Sequence, residues 1–158
     1  MVKNEFIKQY DHVWNVLKRL VSDFDDDAWV NQGIGYMAPA RIAYHILIST
    51  KYYLADDSVM QFPSGKPFGG NTISMSNDEL PSRPDILQVL EVFREKTEQW
   101  LSALDFGAKN EAFNWAGETQ AGVVIFLLKH SMYHLGEVGA LLYQSKSGNV
   151  EDHYVKAI

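Results

Sequence analysis

Two histidines four residues apart, His130 and His134 in the stretch HSMYHLGEVG, are the side chains best suited to chemistry in a sequence with five histidines and no cysteine. Positions i and i+4 of a helix lie one turn apart on the same side, about 5–6 Å between Cβ atoms, so two imidazoles there can converge on one ion. His45 stands among Ile42, Ile46 and Ser49 on what the periodicity marks as the inward face of another helix. Bringing the two helices together makes a cluster of three imidazoles. Three neutral histidines with open positions describe a catalytic rather than a structural transition-metal site. The plain alternative is three hydrogen-bonded core histidines. An H-x-x-x-H pair also arises by chance, and this one lacks the Glu beside the first His that marks a zinc protease.

Glu137 follows His134 by three residues and His130 by seven, on or beside the same face. A carboxylate there has three uses: acceptor for an imidazole N–H, fourth ligand, or general base acting on activated water. It can equally be a solvated carboxylate or a contact between copies of the chain. Gly136 and Gly139 each cost a helix about 1 kcal/mol relative to Ala. The pair suggests close approach of another helix, within the bundle or across a dimer. Tyr52, Tyr53, Tyr133 and Trp115 are candidate pocket walls, with ordinary core packing as the alternative.

The elements that must position these residues are helical. Phe6, Tyr10, Val13, Trp14, Leu17, Val21 and Phe24 follow the three-and-four spacing of one helix face. Similar stripes predict four helices, at about 3–23, 38–55, 84–105 and 118–145. Pro39 suits a first turn, and Gly107 suits a position past a helix end. The run DFDDDAW reads as the end of the first helix and a solvated loop, since it lacks the spaced oxygen ligands of a calcium loop. Between Asp56 and Pro84 lie four of the five prolines and little periodicity. A connection this long suits a functional segment or a crossover in a four-helix bundle. No strand alternation is visible. The expected fold is therefore an all-α four-helix bundle, residues 1–158 as one domain, with a crossover-type connection between the second and third helices. His12 and His153 are expected at the surface, and the polar tail SGNVEDHYVKAI is expected to pack weakly.

Composition excludes several functions. The chain has 158 residues, a net charge of −6 and no Lys/Arg cluster, which disfavours nucleic-acid binding. Without cysteine there is no disulfide, no thiolate zinc site and no cysteine nucleophile. No apolar run of about 18 residues offers a membrane span. The N-terminus lacks the apolar core of a signal peptide, so a cytoplasmic location is expected.

Two segments resemble the DinB-like (DinB/YfiT) superfamily. MAPARIAYHILISTKYYLAD is similar to its second helix, and ETQAGVVIFLLKHSMYHLGEVGALLY to its fourth, with the pattern H-x-x-x-H-x-G-[QE]. The helix order also fits, so the likeness covers nearly the whole chain. It implies a four-helix bundle, often a homodimer, with a divalent metal (nickel or zinc) held by three histidines, here His45, His130 and His134. It also implies a small-molecule substrate and, in family members of known activity, a low-molecular-weight thiol used by transferases and isomerases. Leu135 stands where the family often has Arg, and Glu137 where it often has Gln. Three expectations follow. The first is a metal-dependent enzyme of transferase or hydrolase type, with Glu137 as the candidate catalytic group. The others are a non-catalytic metal or ligand-binding bundle, and a structural helical dimer.

Overall fold

The computed structural model describes residues 2–157. Four long helices, α1 (Val2–Asp23), α3 (Pro39–Tyr53), α4 (Arg83–Ala103) and α5 (Gln120–Ser145), pack together. Two short ones, α2 (Asp26–Asn31) and α6 (His153–Lys156), and a 3-10 turn at Asn114–Ala116 complete the described residues. Three of the starts have a local cause. The Ser82 side chain accepts from the Asp85 backbone while Asp85 reaches back to Ser82, a capping box that opens α4 with Pro84 in its first turn. Pro39 opens α3. Asp25 accepts from the Ala28 backbone and starts α2, so the acidic run expected to be loop instead caps a helix that buries Trp29.

Side-chain contacts fix the topology. Lys3 reaches the Ser102 carbonyl, Arg94 the Asn15 side chain and Lys18 the Glu91 carboxylate, so α1 and α4 are antiparallel. His45 meets His130 while Gly33, before α3, lies against Leu141, so α3 and α5 are antiparallel too. Tyr10 donates to the Val124 carbonyl and Leu20 lies near Gly139, so α1 and α5 run parallel. Hence α3 and α4 are parallel, and the chain between them has to travel back along the bundle. That is what residues 54–82 do.

This crossover is anchored rather than loose. Phe62, Phe68 and Leu80 are buried in the main core. The Tyr44 hydroxyl accepts from the Gly69 amide and donates to its carbonyl, and its ring lies 5.2 and 5.3 Å from those of Phe62 and Phe68. Lys66 donates to the carbonyls of Asp78 and Leu80, and Ser64 to Asp85. Arg41 of α3 donates to the Thr72 carbonyl and to Asn77.

The C-terminal expectation needs correction. His153 is buried, its Nε2 lies 2.8 Å from Asp23 Oδ2, and Ala157 joins the main core. Half-buried His12 contacts the Tyr154 carbonyl at 2.8 Å. Asp152 caps α6 through the amides of Tyr154 and Val155, and that short turn turns His153 inward against α1. The polar composition of the tail concealed this docking. Among the described residues, no helix is long and apolar enough to cross a membrane.

Candidate metal centre

α3 and α5 each turn one face toward the other, and the three expected histidines meet there. His45 Nε2 and His134 Nε2 both lie 3.2 Å from His130 Nε2. The ligand nitrogens all fall within 4.8 Å of one another, with ring centroids 4.5 to 5.1 Å apart. The Ser49 hydroxyl is 3.4 Å from His45 Nε2. All three imidazoles are half-buried.

The electrostatics favour neutral rings. Burial, reinforced by His134 and His45, pulls the His130 pKa down to about 4. Burial, then the neighbouring His134, also lowers that of His45, against a smaller opposing pull from Glu137. Glu137 Oε2 lies 2.7 Å from His134 Nδ1. An Nδ1–H donated to this carboxylate leaves the Nε2 lone pair of His134 facing its neighbours. Neutral rings cannot make all of these contacts as good hydrogen bonds, because an imidazole has one N–H and His134 spends its own on Glu137. His130 Nδ1 is buried with no partner. The donor set suits a cation: the two 3.2 Å separations from His130 match the roughly 3.0–3.4 Å between nitrogens held about 2.1 Å from one ion at octahedral to tetrahedral angles.

A cavity of about 230 Å³ opens beside the imidazoles. His45, His134 and Glu137 line it with Tyr36, Tyr133, Arg41, Thr72 and Ile73, so α3, α5, the α2–α3 loop and the crossover all contribute. The Glu137 carboxylate pushes the exposed Tyr133 phenol above its ordinary pKa. Of the four aromatics expected as walls, Tyr133 alone lines this cavity. Tyr52, Tyr53 and Trp115 instead group with Phe113, and Trp115 donates to the Tyr53 hydroxyl at 2.9 Å. Phe126 links that group to the site, 5.5 Å from Tyr53 and 6.4 Å from His130.

Leu135 is buried in the main core. Among the described residues the glycine pair marks no close helix crossing. A Cβ on Gly136 would meet nothing within 4 Å, and one on Gly139 only Leu20 at 3.8 Å. Both border a second cavity of about 400 Å³, between α1, α5 and residues 150–154, which none of the three histidines lines.

Sequence reading passed over Arg41, Tyr36 and Thr72. Arg41 carried a usable signal, an arginine one turn before His45 in the mostly apolar first half of its helix. Tyr36 and Thr72 come from segments without periodicity, and only the folded loops bring them in.

A helical bundle with three imidazoles converging between two of its long helices defines a class of proteins able to hold a metal ion at that seam. The chain belongs to the DinB superfamily, whose sequence profile matches residues 9–138, a span that contains His45, His130, His134 and Glu137. Neither the curated proteins nor the solved structures yielded a match.

Proposed function

We propose that this chain is a divalent-metal-dependent enzyme whose site at His45, His130 and His134 activates water or a small-molecule thiol for attack on an electrophilic substrate, as a hydrolase or thiol transferase. The observation that supports it is the convergence of three Nε2 atoms while Glu137 meets the outer nitrogen of His134. A divalent ion, nickel or zinc, supplies Lewis acidity that lowers the pKa of a bound water or thiol.

The chain's own residues supply the remainder. Low imidazole pKa values keep the lone pairs of His45 and His130 free at neutral pH. Glu137 orients His134 and, lining the cavity, is the carboxylate placed to take a proton from the nucleophile. Tyr36, Tyr133 and Ile73 narrow the approach. With no cysteine in the sequence, the sulfur of a thiol reaction has to arrive on a small molecule. The family resemblance supports a homodimer, which light scattering tests.

One observation favours a second reading, a non-catalytic metal or ligand-binding bundle: Glu137 already serves His134. Metal analysis of untagged protein comes first, and one zinc or nickel per chain is expected, lost in His45→Ala and His134→Ala. Loaded protein is then screened against thiol–electrophile pairs and esters. Turnover that disappears with the metal supports the enzyme. A filled site with no turnover supports the binding bundle, and no metal at all removes the enzyme and the metal-binding form of the bundle.

A further inference from the structure

We propose that Arg41 binds the carboxylate of a small organic acid in the cavity beside the three histidines, so that the site selects carboxylate-bearing ligands. Arg41 is only 6% exposed. Among the described residues no carboxylate lies within ion-pair distance of it. Its two acceptors, the Thr72 carbonyl and the Asn77 side-chain oxygen, are both neutral. A guanidinium has five N–H donors, and here Nε is buried with no partner at all. Burying a cation this far without a counter-ion is costly, and buried charges are ordinarily paired.

A brace for the crossover would need the two bonds but not the charge. Asparagine or glutamine could meet neutral acceptors without a charge to desolvate. The charge has a use if an anion enters the cavity that Arg41 lines. Glu137 lines the same cavity, but it is occupied with His134. The guanidinium fork matches both carboxylate and phosphate. Two features select the carboxylate. The cavity, about 230 Å³, is smaller than the roughly 300–1,000 Å³ of drug-sized sites. A phosphate would also concentrate close to two negative charges on the one group facing Glu137, where a carboxylate places one. Arg41 precedes His45 by one turn of α3, so an acid held by its carboxylate would carry its remaining atoms toward the imidazoles.

The carboxylate can belong to the electrophilic substrate or to a thiol co-substrate. The proposal rests on the metal reading for the chemistry, while Arg41 is read separately. Protein labelled with ¹⁵N, with and without zinc, is titrated with succinate, mercaptosuccinate, succinamide and phosphate, and the Arg41 Nε–H resonance is followed. Its assignment comes from its loss in Arg41→Lys. Zinc content is measured on the same samples. Succinate is expected to move the resonance in both zinc-loaded and zinc-free protein, succinamide to leave it in place, and Arg41→Gln to weaken succinate binding at least about tenfold.

A response to succinate assigns the carboxylate to the substrate. A response to mercaptosuccinate alone assigns it to the thiol, and either result supports the proposal. A resonance unmoved by both acids, or moved equally by succinamide or more strongly by phosphate, overturns it. If Arg41→Gln fails to fold, the wild-type titration still decides. Protein that loads zinc while Arg41 ignores the acids sinks this proposal alone. Protein that never loads zinc sinks the metal reading, and its zinc-free titration still tests Arg41.

Discussion

The α1–α4 and α3–α5 seams are both antiparallel helix pairs, yet they close in opposite ways. Between α1 and α4, Val13, Leu17, Leu90 and Phe93 are fully buried, and charges stay at the rim, as in Lys18–Glu91 at 2.7 Å. α3 and α5 also bury apolar residues, Ile46 and Leu47 on one and Val123 and Leu127 on the other, but three imidazoles and a buried arginine interrupt the seam between them. Holding a bundle together requires only the first kind of seam. The second gives up apolar burial to gather nitrogen lone pairs, and folding stability does not account for that exchange.

The sharpest way to test the contrast is to damage each seam in turn. Phe93→Ala removes a ring with no solvent exposure, tilted against Phe68 with centroids 5.5 Å apart. It is expected to cost about 3–5 kcal/mol in urea denaturation, the largest stability effect considered. A loss below about 1 kcal/mol would mean that the first seam is not where stability resides.

Glu137→Gln touches the second seam. A carboxylate that orients a metal-bound imidazole is worth about 10–100-fold in metal affinity. Competition against a chelator should read that loss with stability little changed. Unchanged affinity would return Glu137 to the role of a plain surface carboxylate.

The crossover lies between the two cases. Burial alone would raise the Asp56 pKa, but bonds from Lys96 and Ser58 outweigh it and hold the carboxyl at about 2, below its ordinary 3.8. A carboxyl whose folded pKa is depressed adds stability above the unfolded value, and loses it as pH falls through the folded one. Asp56→Asn should therefore lower stability by about 1 kcal/mol at pH 7, allowing for solvent screening. The deficit should shrink between pH 4 and pH 2. A deficit that persists at pH 2 would point to packing instead of charge. Smallest of all, Lys18→Ala at the exposed rim should cost at most about 1 kcal/mol by thermal melting, and less in high salt.

The sequence was most readable where periodicity and rare residues coincide. The stripe from Tyr10 to Val21 announced α1, and three histidines on inward faces announced the seam, because burial and helical spacing act locally. It was least readable where tertiary contacts decide. Residues 54–82 carry no period, yet Phe62, Phe68 and Tyr44 pin them in place. Asp25 looked like loop because an isolated acidic run does not reveal that it caps Trp29's helix. His153 looked exposed because its burial depends on α1, far away in the chain. Arg41 was visible but passed over, since an arginine within an apolar stripe is easily taken for one that reaches solvent.

The central claim, that the α3–α5 seam exists to hold a cation, is tested most directly by anomalous diffraction at the zinc or nickel edge from crystals of untagged, metal-incubated protein. One peak is expected between the Nε2 atoms of His45, His130 and His134, absent in His134→Ala crystals of the same fold. Crystals with no peak there after incubation with either metal, and with the rings hydrogen-bonded to each other or to water, would contradict the claim.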